Sequence, residues 1–276
     1  KQKTAYEISL GLVGSEMCIR DRLTAAAVAM SNRIPILFLP GDTYANRMPD
    51  PVLQQVEHFN NPGITANDAF KSVTRYFDRI TRPEQILQSL PQAIQLMIDP
   101  ADAGPACLSL CQDTQGETFD YPEEFFKERI HNIRRPRPDD FQIKEAAEKI
   151  KKSKNPIIIS GGGVFYSDAM EELSTFAVKH NIPVTQTVMG YSSMKRDHSH
   201  FLGPIGGLGG KAANNFAKKT DLAIAIGTKL GDFTTGSWSN FENPNFSLVS
   251  INVARFDASK HMACLLYTSP SPRDRG

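Results

Sequence analysis

Short apolar runs recur along this 276-residue chain, and turn-forming residues bound each of them. A run of four to eight apolar residues between turn signals is typical of a buried strand. On this basis we predict strands at residues 34–39, 106–111, 156–160, 182–187, 222–228 and 246–252.

Stretches with helical periodicity lie between these runs. In the clearest one, Thr81 is expected to be the N-cap, with Pro83 in the first turn and Glu84 completing a capping box. Its apolar positions are Ile86, Leu87, Leu90, Ile94 and Met97. Further helices are predicted at residues 23–30, 67–72, 141–152, 170–177 and 212–219. Strands separated by helices indicate an α/β fold with parallel sheets.

The order of these elements predicts two α/β units joined by a linker. Residues 23–113 run helix, strand, helix, strand, which is the end of a parallel-sheet domain and not a whole one. Residues 114–139 are interpreted as the linker, since Arg135 and Arg137 each precede a proline and favour extended backbone. Acidic residues on both sides of this basic run argue against a nucleic-acid site. Residues 140–263 are expected to form a Rossmann-like domain.

Both ends of the chain are predicted to be foreign to the protein. Residues 12–21 (LVGSEMCIRD) and 264–273 (CLLYTSPSPR) can be encoded by the two strands of one DNA duplex. A sequencing adapter translated inward from both ends would produce that relation. We therefore interpret residues 1–22 and 264–276 as adapter-derived, and residues 23–263 as an internal fragment of a longer protein. A signal peptide is the alternative at the start, but the apolar run is too short.

The amino-acid composition of the chain limits the kinds of partner that it is expected to bind. With 31 Lys and Arg against 30 Asp and Glu, the formal net charge is +1, which gives no electrostatic case for binding nucleic acid or a membrane surface. No apolar run approaches the ~20 residues of a membrane span. Cys107 and Cys111 are interpreted as small buried hydrophobic residues, which fits a reducing cytoplasm.

The polar loop after the first predicted strand is the strongest candidate for ligand binding. In a parallel α/β sheet, such loops at the strand ends present ligand-binding groups. Arg47 could bind substrate oxygens bidentately, while Asp42 and Asp50 could accept hydroxyl groups. The full set of substrate-side candidates is Asp42, Arg47, Asp50, Gln54, Gln55 and Asn67. Salt bridges within the loop and dimer contacts remain an equal alternative for these residues.

Glycine-rich segments in the second unit suggest phosphate binding but match no established pattern. Gly161, Gly162 and Gly163 follow a strand, yet Tyr166 stands where G-x-G-x-x-G requires glycine. Tight packing of helix on strand is the alternative to a nucleotide site there. The segment from 203 to 211 resembles a P-loop, but Ala212 replaces the required Ser or Thr.

Two further segments allow similar alternatives. The segment from 227 to 235 could face a ligand or could begin a helix at Asp232. The histidines have no metal-ligand spacing, and His198 and His200 are expected to be solvated.

Several blocks of the sequence resemble one enzyme family. They are residues 49–55 (PDPVLQQ), 67–70 (NDAF), 79–85 (RITRPEQ), 112–117 (QDTQGE), 232–238 (DFTTGSW) and 250–257 (SINVARFD). Together with the order of the units, they resemble the thiamine diphosphate enzymes of the acetolactate synthase type. Within that family they are most similar to the trihydroxycyclohexane-1,2-dione hydrolases of myo-inositol catabolism. Residues 190–193 (GYSS) depart from the Gly-Lys-Ser expected in many members.

The resemblance implies an enzyme that opens a cyclic 1,2-dione to a deoxyglucuronate, with thiamine diphosphate and Mg²⁺ as cofactors. It also implies that residues 23–113 are the C-terminal part of a pyrimidine-binding domain, and that the parent is a homodimer or homotetramer. The family's cofactor-activating glutamate would lie upstream of residue 23, and its metal motif downstream of residue 263. No catalytic residue is therefore assigned here, and this chain alone is expected to be inactive and to bind no cofactor tightly. Other acetolactate synthase-like enzymes and a nucleotide-binding Rossmann module are the alternatives.

Overall fold

The computed structural model describes residues 19–47, 55–56, 58–133 and 135–260, with side chains from residue 22 onward. The chain divides into two compact units, residues 1–134 and 135–276. Within the described residues, no helix has both the length and the apolar character needed to cross a membrane.

The first unit is built on a parallel sheet whose central strand is β4. Its strands are β1 (Leu37–Phe38), β2 (Gly41–Asp42), β3 (Tyr76–Ile80) and β4 (Ala106–Cys111). β1 and β2 pair with one edge of β4, and β3 pairs with the other edge. The predicted strand at 106–111 is confirmed. The strand predicted at 34–39 is shorter, since only Leu37 and Phe38 form β1, although the carbonyls of Ile36 and Pro40 also accept N–H groups of β4.

Helices cover both faces of this sheet. They are α1 (Ile19–Asn32), α2 (Ile86–Ile98) and the 3₁₀ helices Ala66–Ser72, Pro83–Gln85, Thr114–Gly116 and Glu123–Phe126. Phe38, Phe70 and Cys107 are buried with Ala26 in one cluster. Ile80, Leu108 and Ala93 are buried with Ala106 in a second cluster. Alternate side chains of β4 therefore enter two separate cores, as the pleat of a strand requires.

The predicted capping box at Thr81 and Glu84 is wrong. Arg82 is the N-cap of the 3₁₀ turn Pro83–Gln85 and makes no side-chain capping bond. Gln85 reaches back instead, and its Oε1 accepts the N–H of Thr81 at 3.1 Å. A full capping box forms at Thr65 and Asp68, where the sequence analysis had placed none.

The first residues of the predicted linker are hydrogen-bonded to the first unit. The Thr114 hydroxyl donates to the carbonyl of Thr81, and the Tyr121 hydroxyl donates to the carbonyl of Pro83, each at 3.1 Å. The boundaries proposed for the domains stay predictions.

The second unit is a five-stranded parallel sheet in the order β7-β6-β5-β8-β9. Its strands are β5 (Pro156–Ser160), β6 (Val184–Gln186), β7 (Phe201–Pro204), β8 (Leu222–Ile226) and β9 (Ser247–Ile251). Counted from β5, this is the strand order of the first five Rossmann strands, so the Rossmann-like prediction is confirmed. β7 was missed, because its short sequence (FLGP) runs into the glycine-rich segment that we interpreted as a loop.

Helices pack on both faces of this sheet too. They are α3 (Asp140–Lys152), α4 (Gly162–Tyr166), α5 (Met170–His180), α6 (Lys211–Lys219), α7 (Asp232–Thr235) and α8 (Arg255–Ser259), with a 3₁₀ turn at Val188–Gly190. Ile158, Ile224 and Val249 enter one core. Their neighbours Ile157, Ala223 and Leu248 enter the other. The apolar runs are continuous because both faces of each strand are buried.

The glycines at the end of β5 allow close packing between backbones. A Cβ on Gly161 would lie 2.3 Å from the carbonyl oxygen of Gly227, and one on Gly163 would lie 2.5 Å from the Cα of Gly227. The Gly163 N–H donates to that same carbonyl at 3.0 Å. These contacts agree with the packing alternative for the glycines, since the segments after β5 and β8 contact each other directly.

We expect alanine at Gly163 to lower the free energy of unfolding by about 1–3 kcal/mol, because its Cβ cannot fit beside Gly227. Urea unfolding followed by circular dichroism measures the change. Gly210→Ala is the control, since a Cβ there meets no atom within 4 Å. Equal stability of the two variants would contradict the close packing.

We also expect Cys107 and Cys111 to resist alkylation near neutral pH in the folded chain. Burial, followed by the charge of Asp42, raises the pKa of Cys107 to about 12 and that of Cys111 to about 11. The thiolate is the reactive form, so little of it is present. Iodoacetamide labelling is measured by mass spectrometry on the Cys18→Ser/Cys264→Ser variant, in which Cys107 and Cys111 are the remaining cysteines. Guanidinium-unfolded protein is the control, and rapid labelling of folded protein would refute the expectation.

Candidate functional site

A buried carboxylate lies at the carboxyl end of β2. Asp42 is only 1% exposed. Its Oδ2 accepts hydrogen bonds from Arg79 Nε at 2.7 Å and from the Ser109 hydroxyl at 2.6 Å. Its Oδ1 accepts the N–H of Thr43 at 2.8 Å. Both oxygens are therefore bonded within the protein, and the chain leaves β2 in a fixed direction.

Arg79 connects this carboxylate to the 3₁₀ helix Ala66–Ser72. Its Nη2 donates to Asp68 Oδ2 at 2.8 Å and to the Thr65 hydroxyl at 3.1 Å. Burial alone would lower the pKa of Arg79, but the bonds and charges of Asp42 and Asp68 raise it. Burial likewise acts to raise the pKa of Asp68, and the bonds from Lys71, Thr65 and Arg79 lower it overall. Asp42, Arg79 and Asp68 thus form a triad, and the shifts stabilise Arg79 and Asp68 in their charged forms.

Asn67 and Gln55 converge on the carbonyl of Gly41. Asn67 Nδ2 donates to this carbonyl at 2.7 Å and to the Ser109 hydroxyl at 2.8 Å. Gln55 Nε2 donates to it at 3.4 Å, while Gln55 Oε1 accepts the N–H of Ala66 at 3.0 Å. The carbonyl fixes the orientation of the Asn67 amide, because only the nitrogen end can donate to it. The other end, Asn67 Oδ1, is buried and accepts no hydrogen bond from the residues that the structure describes.

The exposed part of the loop is held from the opposite side by Asp113. Its carboxylate accepts the N–H of Ala45 at 2.8 Å and that of Asn46 at 2.7 Å. These two residues lie between Tyr44 and Arg47, whose guanidinium carbon is 4.5 Å from the Tyr44 ring centroid. Arg47 itself is exposed.

The structure brings together three of the six candidates predicted from the sequence. Asp42, Gln55 and Asn67 meet around Gly41, whereas Arg47 contacts the Tyr44 ring. Asp50 and Gln54 lie outside the described residues. For Asp42, the alternative of salt bridging agrees with the observed contacts, although its partner is Arg79 and not a residue of the loop. The roles of all six toward a ligand stay predictions.

Sequence reasoning missed Arg79, Ser109 and Asp113. Arg79 lies in β3, which the sequence analysis did not predict because Asp78 and Arg79 interrupt its apolar run. Asp113 lies two residues beyond the end of the correctly predicted β4, and its position near a strand end was a signal that could have identified it.

The carboxyl edge of the second sheet contains less polar chemistry. The glycine-rich segment after β7 is closed by Asn214, whose side chain bonds both the N–H and the carbonyl of Gly206. That arrangement differs from an open phosphate loop. A helix does begin at Asp232, as one alternative held, but its N-cap is Gly231.

The paired histidines, which were expected to be solvated, are partly exposed and are hydrogen-bonded to neighbouring side chains. His198 and His200 are half-buried. His198 Nε2 lies 2.9 Å from the Ser174 hydroxyl, and His200 Nε2 lies 3.1 Å from Asn181 Oδ1. Across the part of the chain that the structure describes, no group of three or more His, Cys, Asp or Glu side chains could hold a metal ion.

Comparison with known proteins identifies relatives for both units. Residues 143–267 match the family described as "Thiamine pyrophosphate enzyme, central domain". The chain is 50% identical over 240 residues to the 3D-(3,5/4)-trihydroxycyclohexane-1,2-dione hydrolase of Clostridium perfringens (strain 13 / Type A), which covers 87% of this chain and 38% of that protein. Its identity to the protein of that name from Listeria monocytogenes serotype 4b (strain F2365) is 49% over 260 residues, covering 94% of this chain and 41% of the relative.

The family resemblance predicted from the sequence blocks is therefore confirmed. The chain spans about 38% of the length of the first of these relatives.

We expect Arg79→Ala to destabilise the chain by about 3–5 kcal/mol, because it leaves the buried Asp42 carboxylate without its cationic partner. Denaturant unfolding measures the loss. Arg82→Ala is the matched control, since the pair Arg82–Glu84 is exposed and 3.8 Å long; such pairs contribute about 0–1 kcal/mol. A small effect at Arg79, similar to that at Arg82, would contradict the role given to the triad.

Proposed function

We propose that this chain, with its thiamine pyrophosphate enzyme central domain, is part of a hydrolase that opens 3D-(3,5/4)-trihydroxycyclohexane-1,2-dione to 5-deoxyglucuronate in myo-inositol catabolism. The reaction adds one water molecule and cleaves one carbon–carbon bond of the ring. The observation that carries the proposal is the 50% identity over 240 residues, which extends across both units.

The residues of the first unit supply the substrate side of the site in this proposal. Arg47 is exposed, always charged and able to donate two parallel hydrogen bonds to adjacent oxygens of the ring. Asp50, Gln54 and Gln55 complete the polar lining. Asp42 and Asn67 support the loop and do not bind substrate directly, since their described contacts hold the start of the loop and the carbonyl of Gly41.

Thiamine diphosphate supplies the carbanion chemistry in such an enzyme, and the protein supplies orientation and charge. The described residues do not fit the diphosphate and its Mg²⁺, because they contain no cluster of metal-ligating side chains. We therefore assign the cofactor and Mg²⁺ to other parts of the parent protein and derive no step through them.

The proposal also covers the partners, the localisation and the oligomeric state of the parent protein. A near-zero net charge agrees with a small-molecule substrate and with the absence of nucleic-acid or membrane partners. The parent is proposed to be a cytoplasmic homodimer or homotetramer.

A nucleotide-binding module is the second candidate, because the second sheet has the Rossmann strand order. The close contact of Gly161 and Gly163 with Gly227 argues against it, since the glycines pack on protein. Titrating the chain with NAD, FAD and ADP separates the two. Saturable binding would favour the nucleotide module.

The main test uses the complete reading frame of the parent protein. The purified enzyme is expected to convert the cyclic dione to 5-deoxyglucuronate, measured by NMR, only when thiamine diphosphate and Mg²⁺ are present. The 276-residue chain is the control and is expected to give no turnover. An inactive complete enzyme, or one that instead condenses pyruvate, would refute the proposed reaction.

A further inference from the structure

The turn that carries Arg47 is held by a residue distant in sequence. Asp113 Oδ1 accepts the N–H of Ala45 and also that of Thr114, at 2.8 and 3.1 Å. Asp113 Oδ2 accepts the N–H of Asn46 at 2.7 Å. The Asn46 side chain donates in turn to Glu117 Oε1 at 2.5 Å. Two residues that follow β4 therefore hold the middle of the turn.

The held amides determine where Arg47 lies. Ala45 and Asn46 are the two residues between Tyr44 and Arg47, so their position sets the contact between the tyrosine ring and the guanidinium. Burial alone would raise the pKa of Asp113, but the N–H groups of Ala45, Asn46 and Thr114 lower it overall. The carboxylate is thus charged near neutral pH, and its bonds to the turn are charge-assisted.

We propose that Asp113 is a positioning residue that presents Arg47 to the substrate. The inference rests on the proposed function, because Arg47 is the arm that binds the ring oxygens of the dione. Asp113 itself touches no substrate and acts only through the turn.

Capping of the 3₁₀ helix Thr114–Gly116 is the competing explanation for Asp113, since its side chain accepts the Thr114 N–H. Capping uses Oδ1 alone. Oδ2 is bonded to Asn46, which lies 67 positions away in sequence and has no part in the cap. Asparagine at 113 can keep the bonds of Oδ1, but it places an NH₂ group against the Asn46 N–H.

The chain offers a matched control in Asp221. Its carboxylate also accepts two backbone N–H groups, those of Lys154 and Asn155, and a serine hydroxyl, and its pKa is likewise lowered. It lies directly before β8, at the amino end of the strand and away from the loops at the carboxyl edge. Asp221→Asn therefore removes the same chemistry without touching Arg47.

In the complete parent enzyme, Asp113→Asn is expected to raise KM for the dione about tenfold or more with little change in kcat, because a misplaced binding group weakens ground-state and transition-state binding alike. Asp221→Asn is expected to leave KM unchanged. Once Arg47 has been replaced by alanine, Asp113→Asn should add nothing further, since the two residues act as one unit. A full additional loss in the double variant, or an unchanged KM in Asp113→Asn, would overturn the proposal.

Hydrogen exchange in the 276-residue chain gives a readout that needs no activity. Asp113→Asn is expected to speed exchange of the amides at 45 and 46, and Asp221→Asn to leave them unchanged. If the complete enzyme does not hydrolyse the dione, the proposed function fails, while exchange still decides whether Asp113 holds the turn. Unchanged exchange at 45 and 46 would overturn the positioning role by itself.

Discussion

Parallel pairing of strands determines where the chemistry of this chain can lie. Every strand of a parallel sheet ends at the same edge, and both faces of the sheet are covered by helices. Polar side chains at the carboxyl ends can therefore meet at one edge, whereas a charge inside a strand, such as Asp78 or Arg79 in β3, needs a bonded partner. In the first unit Asp42 is the last residue of β2, and Asp113 lies two residues beyond the end of β4. The resulting cost is the burial of charge, which Arg79 offsets by bonding to two carboxylates at once.

The same constraint has a different outcome in the second unit. There the segments after β5 and β8 contain glycines at the point where the strand order reverses, and their backbones approach too closely for any side chain. A crevice at such a point is the usual ligand site of this fold class. Here backbone packing fills part of it. In the first sheet, by contrast, charged side chains bond one another near the carboxyl edge.

Sequence reasoning succeeded where burial alone determines structure. The runs at 106–111 and 156–160 form strands with the predicted bounds, since short and mainly apolar runs between turn residues are typical of buried strands. It failed where a distant partner makes an unfavourable sequence acceptable. β3 contains Asp78 and Arg79, and it is a strand because Ser89, Gln85, Asp42 and Asp68 bond these charges.

The candidate site likewise contains residues that the sequence can identify and residues that depend on distant contacts. Asp42, Asn67 and Gln55 could be proposed from one strand end and its loop, because their positions follow from local order. Arg79 could not, because its importance lies in a bond that spans 37 positions of sequence. Strand-end position could have pointed to Asp113, but not to its bond with Asn46, 67 positions away. A contact of that kind appears only once the sheet has set which strand ends are neighbours.

The loop at residues 40–47 is consequently held on two sides by different means. On one side, Asp42 is buried and paired with Arg79, and loss of that guanidinium would leave the carboxylate uncompensated. From the solvent side, Asp113 holds backbone amides near the surface, where water can replace a lost bond at smaller cost. The first attachment therefore bears on whether the unit folds, and the second on where the exposed Arg47 points. Because folding and the placement of Arg47 depend on different contacts, the residues around Arg47 can change without destabilising the sheet.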